Sequence, residues 1–294
     1  MQPLIKHDES TYERILVIAD IHGGCQALIG LLAELQPGQG DLLVTLGDYV
    51  DRGPDAKEVL AELRICAAAL NTVHLRGNHE GMLLMAMSRS PALPDMYGER
   101  VPDDADSLAG KISMWLHNGG LSTLESYCRS AGAAVRKSLD GLKKALRSVP
   151  WRETDRRTNQ EALIRHCTEL GAIIPPEDFS FLRHTCADML LTGQHILVHG
   201  GYDAHFPPKA QQLATLHWGY PAQACTSLHQ TLVVGHQIMR TRLPRRFGSL
   251  IYLDTGSACV ADGRLSCLDL LSQQFWQADQ TGGICHSGNL ASMS

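Results

Sequence analysis

Apolar residues along the chain fall into short blocks separated by polar loops, and the spacing within the blocks alternates. Arg14 to Asp20 (RILVIAD) is a short apolar run ending in a polar turn, which predicts a strand. Cys25 to Leu35 (CQALIGLLAEL) carries apolar residues at helical spacing and is stopped by Pro37-Gly38. The unit repeats as Asp41 to Leu46 (DLLVTL), a loop from Gly47 to Pro54, and a helix from about Asp55 to Leu70 with Pro54 near its first turn. A third strand, Thr72 to Leu75, runs into Gly77-Asn78-His79-Glu80. Three βα units in succession predict a mostly parallel sheet, with functional loops at the carboxyl ends of its strands.

From Met82 to about His184 the strand signal disappears, and helical stretches such as Lys111 to Cys128 and Pro176 to His184 predict an insertion. Strands return at His195 to Val198, Gln230 to Val234 and Leu250 to Leu253. A hairpin is expected from Ala258 to Leu268, turning at Asp262-Gly263. After Gln277 the chain is rich in Gly and Ser without periodicity. The expected organisation is one domain over residues 1–294, with a helical insertion at about 82–184 and a loose C-terminal tail at about 278–294.

Composition narrows the class. The 294 residues are 44% hydrophobic and 19% charged, and no apolar run approaches the ~20 residues of a membrane span. The net charge of -5 offers no general attraction to nucleic acid or acidic membranes, so neither is expected as a partner. Lys6, His7, Asp8 and Glu9 stand where a secretory signal would be apolar, and nine cysteines at irregular spacing fit a reduced compartment, so a cytoplasmic location is expected. The 14 histidines, several beside Asp, Asn or Gly at the ends of apolar runs, direct attention to metal.

Five motifs lie on strand-end loops in this order: Asp20-Ile21-His22-Gly23, Gly47-Asp48-Tyr49-Val50-Asp51-Arg52-Gly53, Gly77-Asn78-His79-Glu80, His199-Gly200-Gly201 and Gly235-His236. Their Asp, His and Asn side chains are oxygen and nitrogen donors suited to Mn²⁺, Fe or Zn²⁺, and a carboxylate with two oxygens can bridge two ions. The glycines let backbone approach where a Cβ would obstruct it. Elsewhere, Arg76 is expected in a structural ion pair, His74 as an ordinary strand residue, His205 and His217 on exposed loops, and Cys25 in the core.

The five motifs together resemble those of the phosphoprotein phosphatases, the metal-dependent Ser/Thr phosphatases within the calcineurin-like metallophosphoesterases. Trp115-Leu116-His117-Asn118-Gly119-Gly120, followed by Thr123-Leu124-Glu125-Ser126-Tyr127, also resembles the helical insert of bacterial members. The resemblance implies an α/β fold, a calcineurin-like β-sandwich flanked by helices with a helical insertion. It implies two divalent metal ions, Mn²⁺ foremost with Fe or Zn as alternatives: Asp20, His22 and Asp48 on the first, and Asp48, Asn78, His199 and His236 on the second. His79 would protonate the departing alkoxide, Asp51 would support His79, and Arg52, with Asn78 and Tyr220, would contact the phosphate. The implied reaction is direct attack of a metal-bridging hydroxide, without a covalent phospho-enzyme.

Departures from the family pattern refine this. Gly235-His236 is followed by Gln237 and Ile238, not by the second histidine of the GHxH found in many cyclic-nucleotide and nuclease relatives. Diadenosine tetraphosphate hydrolases typically replace the Asp of DRG by Ala and the Glu of GNHE by Asp, whereas Asp51 and Glu80 are present here. Tyr220 stands where bacterial phosphatases place a second phosphate-binding arginine, leaving Arg240, Arg242, Arg245 and Arg246 of the next loop as candidates. The resulting expectation is a phosphomonoesterase acting on Ser/Thr, or Tyr, side chains of phosphorylated protein or peptide. The alternatives are a dinucleoside polyphosphate or other small-molecule phosphohydrolase, and a catalytically weak regulatory protein on the same scaffold.

Overall fold

The computed structural model describes residues 4–87, 105–147, 157–219 and 229–292. In chain order the first elements are β1 (Ile5–Lys6), β2 (Arg14–Ile18), α1 (Cys25–Leu35), β3 (Asp41–Thr45), α2 (Ala56–Ala69), β4 (Thr72–His74) and α3 (Asn78–Met87). Among the described residues between β4 and β5 every regular element is helical: α4 (Ala105–Trp115), α5 (Leu121–Cys128), α6 (Ala133–Arg147), α7 (Arg157–Gly171) and α8 (Pro176–Ser180) follow α3. The remainder is β5 (Met189–Leu191), β6 (His195–Val198), α9 (Leu213–Trp218), β7 (Thr231–Val234), β8 (Arg245–Phe247), β9 (Leu250–Tyr252), β10 (Leu265–Asp269), β11 (Gln274–Ala278) and β12 (Ile284–Asn289).

The strands form two six-stranded mixed sheets, ordered β12-β11-β10-β2-β3-β4 and β1-β5-β6-β7-β9-β8. Within the first, β2, β3 and β4 run parallel, with Ile15 opposite Leu42 and Val44 opposite Val73. In the second, β6, β7 and β9 are parallel. Alternate residues of β2 explain why it reads as an unbroken apolar run. Ile15 and Val17 enter the core between the sheets with Leu197, Val233 and Ile251, while Leu16 and Ile18 face the helices with Leu28, Leu31 and Leu60. Both faces are dry, so the strand has no polar side.

Two expectations are corrected. The segment expected as a loose tail at about 278–294 supplies β12, antiparallel to β11 with Gln274 opposite Asn289. Ile284 to Ser287 are exposed, so this edge strand is held by main-chain hydrogen bonds and shows no apolar alternation. Only the second arm of the hairpin expected over Ala258–Leu268 is a strand. Gly256 and Ala258 take positive φ (86° and 51°), curling the first arm into a turn, and the hairpin falls one step later between β10 and β11.

Candidate metal centre

The parallel strands of both sheets end at one place. Asp20 and His22 follow β2, Asp48, Asp51 and Arg52 follow β3, and Asn78 and His79 open α3 after β4; His199 follows β6 and His236 follows β7. His22, Asp48, Asp51, Arg52 and His236 all have positive φ, between 47° and 69°, although none is glycine. Each such backbone costs on the order of 1–3 kcal/mol and persists only where its surroundings enforce it. Glycines make room for the carboxylates: a Cβ on Gly77 would lie 2.0 Å from Asp48 Oδ1, and one on Gly235 would lie 2.1 Å from Asp20 Oδ1.

Glu80 enforces the Asp48 turn. Its buried carboxylate accepts from the backbone N–H groups of Asp48 (2.8 Å), Tyr49 (2.8 Å), Gly77 (2.9 Å) and Val50 (3.3 Å). Burial first, with the Asp48 charge second, raises its pKa to about 7. Asp48 in turn accepts from the His79 N–H at 3.1 Å, and Asp20 accepts from the His236 N–H at 3.0 Å.

The side chains meet around Asp48. Its Oδ2 is 3.3 Å from His22 Nε2 and 3.8 Å from His79 Nε2, and its Oδ1 is 3.4 Å from His199 Nε2. Donor atoms of His22, Asp48 and His79 lie within 4.8 Å of one another, and so do those of Asp48, His199 and His236. Asp48 is therefore common to both clusters, the position that the resemblance implies for a bridging ligand. Asn78 Oδ1 sits 2.9 Å from His199 Nε2. In the first cluster His79 stands where Asp20 was expected; the Asp20 carboxylate is turned to the His236 N–H.

The donor set fits divalent metal. His199 Nδ1 donates to the Leu46 carbonyl at 3.0 Å, which leaves the Nε2 lone pair pointing at Asn78 Oδ1 and Asp48 Oδ1. Burial lowers the His199 pKa to about 3, so near neutral pH acceptors face acceptors and a cation is the natural partner. Burial, with the charges of Asp254 and Asp48, pushes the Asp20 carboxyl well above the usual carboxylate range. Burial opposes charge on Asp48 and on His22 as well. The histidines His199, His79 and His22 outweigh it and hold Asp48 well below that range, while Cys259 and Asp48 outweigh it and hold His22 well above the usual imidazole value. A proton on His22 there does electrostatically what a cation would do. The metal-free protein is therefore expected to melt at a lower temperature than the Mn²⁺-loaded one. The difference corresponds to about 2.7 kcal/mol when free ion is about one hundred times the dissociation constant. Calorimetry with and without a chelator checks this, and coincident transitions would count against a bound ion.

His79 stands beside the clusters with its two nitrogens in different surroundings. Nδ1 is 2.7 Å from Asp51 Oδ2, while Nε2 is buried without a hydrogen-bond partner among the described residues. Arg52 lies at the exposed rim, its Nη1 3.3 Å from His22 Nε2 and 3.1 Å from Cys259 Sγ. Tyr220 lies outside the described residues. Of the following arginines, Arg242 pairs with Asp262 and Arg246 bonds Gly248 and Gln273, whereas Arg240 is exposed.

Other residues divide between confirmation and surprise. Arg76 is fully buried against Asp188 at 2.8 Å, His74 bonds Thr45, and Cys25 packs in the core. His217, expected on an exposed loop, is fully buried and bonds Asp188 at 3.0 Å. Missed altogether were Cys259 at the rim and Asp254, whose buried carboxyl is raised to about 6, burial being the main cause. Asp254-Thr255-Gly256 follows a strand, the same signal that marked the other loops; nothing local marks Cys259.

Converging strand ends, a shared carboxylate and glycine-relieved loops define a metal-binding α/β sandwich, and comparison with known proteins makes the assignment specific. The Calcineurin-like phosphoesterase family profile matches residues 13–209, and the chain belongs to that family. Serine/threonine-protein phosphatase 2 of Salmonella typhimurium is 43% identical over 259 residues, covering 87% of this chain and 92% of the relative. Serine/threonine-protein phosphatase 1 of the same organism is 34% identical over 114 residues, and phosphatase 2 of Escherichia coli 34% over 111; these alignments span only 42% and 39% of those relatives. A crystal structure described as that of a "putative diadenosine tetraphosphatase" shares the fold, with a TM-score of 0.54 at 18% identity over 98% of each chain. No described helix is long and apolar enough to cross a membrane.

Proposed function

We propose that this chain is a cytoplasmic, manganese-dependent phosphomonoesterase that removes phosphate from Ser or Thr side chains of phosphorylated proteins. The observation that carries the reading is Asp48 shared between two imidazole clusters, with the His79–Asp51 pair beside it. The relatives named Ser/Thr protein phosphatases support the substrate class. Asp20, His22 and Asp48 would hold one ion, and Asp48, Asn78, His199 and His236 the other. When bound, such a pair supplies a water of lowered pKa and neutralises charge on the phosphoryl group.

The chain's own groups do the rest. Arg52 at the rim offers a planar guanidinium to two phosphoryl oxygens. Asp51 fixes His79 through Nδ1, so Nε2 is the nitrogen that meets the leaving oxygen and gives it a proton. Asp51 and Glu80, the positions at which diadenosine tetraphosphate hydrolases typically differ, are both engaged: one holds His79, the other the Asp48 turn. This favours phosphoprotein over dinucleotide. With Mn²⁺ the protein is expected to hydrolyse p-nitrophenyl phosphate, and to act on a phosphoserine peptide with a higher kcat/KM than on diadenosine tetraphosphate. The reverse preference would move the assignment to the dinucleotide, and no turnover of any of the three would move it to a binding protein.

A further inference from the structure

The helical insertion reaches the reacting groups directly. Asp51 is fully buried, and among the described residues two of its three side-chain partners come from that insertion. Thr123 Oγ1 donates to Oδ1 at 2.6 Å, and Trp115 Nε1 lies 3.0 Å from Oδ1 and 3.1 Å from Oδ2. The third partner is His79 Nδ1 on Oδ2. The Asp51 backbone N–H donates to Thr123 Oγ1 at 2.8 Å, so that oxygen is occupied as an acceptor and its own proton is directed to the carboxylate. Trp115 and Thr123 are themselves fully buried, so neither has water as an alternative partner.

Bringing these two residues onto one carboxylate requires a break in the helix. In a straight α-helix, positions eight apart are separated by about 12 Å along the axis. Here α4 ends at Trp115 and α5 begins at Leu121, and Leu116–Gly120 between them is a wide π-type turn in which Gly119 takes φ 110°. Such interruptions recur at functional sites. The same corner touches the next residue of the loop, because the Arg52 N–H donates to the Gly119 carbonyl at 3.2 Å. Asp51 and Arg52 both have positive φ, and both are pinned by the insertion.

We infer that Trp115 and Thr123 are positioning residues for proton transfer: they fix the plane of the Asp51 carboxylate so that Oδ2 holds His79 Nδ1 and aims Nε2 at the leaving oxygen. In the step concerned, the Nε2–H bond breaks as the proton joins the alkoxide released from phosphorus, leaving a neutral imidazole and an alcohol. This inference rests on the proposed acid role of His79. It gives the insertion a part in the chemistry, set by two side chains and one interrupted helix.

The test compares substrates that differ in their need for that proton. Partners that orient a reacting or ligating group are typically worth about 10–100-fold. Trp115→Phe and Thr123→Val, loaded with Mn²⁺ and checked for metal content and melting temperature, are each expected to lower kcat on a phosphoserine peptide by about that factor. Turnover of 2,4-dinitrophenyl phosphate, whose leaving group needs no proton, should stay within about threefold, and Thr123→Ser should restore the peptide rate. If Trp115→Phe does not fold, the Val and Ser variants at position 123 carry the test alone. Equal losses on both substrates with metal retained, or no loss on the peptide, would overturn the inference. His79→Asn run in parallel separates the two readings. Leaving-group dependence in that variant but not in the insertion variants removes the positioning role alone, and its absence in His79→Asn removes both.

Discussion

Asp48→Asn is expected to take turnover on every phosphoester below detection and to weaken both halves of the centre together. Asp48 is the one side chain common to the His22–His79 and His199–His236 clusters, and it is almost completely buried. An amide in its place keeps the size but supplies one acceptor oxygen instead of two and no charge. The histidines around Asp48 that hold its carboxyl well below the usual range would then face a neutral group. Asp48 would contribute to holding each of the two ions, so its loss would remove the charge neutralisation and the water of lowered pKa that a bound pair would supply. Metal analysis by mass spectrometry, set beside activity, decides the matter: near-wild-type turnover with unchanged metal content would refute the shared-ligand assignment.

His79→Asn is expected to produce a loss that depends on the leaving group. An alkoxide departing from phosphoserine needs a proton, and a positioned acid contributes about 10²–10⁴-fold to such a step. The p-nitrophenolate ion is stable without one, so its release should suffer far less. The geometry supports the contrast, because Nδ1 is engaged by Asp51 while Nε2, buried and facing Asp48, has no hydrogen-bond partner among the described residues. Kinetics on the two substrates with metal occupancy matched provides the check. Equal reductions would assign His79 to metal binding through Nε2, consistent with its place in the His22–Asp48 cluster.

Much of this arrangement was legible in the sequence for a physical reason. β2, β3, β6 and β7 are covered on both faces, so they appear as short unbroken apolar runs, and the site loops begin where those runs stop. The candidate ligands therefore stand where those runs end, and the resemblance carried by their motifs is what assigns them to metal. Trp115 and Thr123 were visible as part of a recognisable stretch, but their partner Asp51 is 64 and 72 residues away, and no local pattern encodes such a contact. The burial of His217 against Asp188 was hidden for the same reason. β12 escaped because an edge strand with exposed side chains leaves no apolar alternation to read.

The proposed ligands are divided between the sheets: Asp20, His22, Asp48 and Asn78 follow strands of one, His199 and His236 follow strands of the other. Bound ions would act as a rivet through the sandwich. Sliding or parting of the two layers would pull the ligand set apart, so escape of the ions and separation of the sheets become one event along the unfolding route. Hydrogen exchange makes this visible. With the rivet in place, amides of β2 and β7 should open with a common free energy, whereas a chelated sample should let the second sheet open ahead of the first.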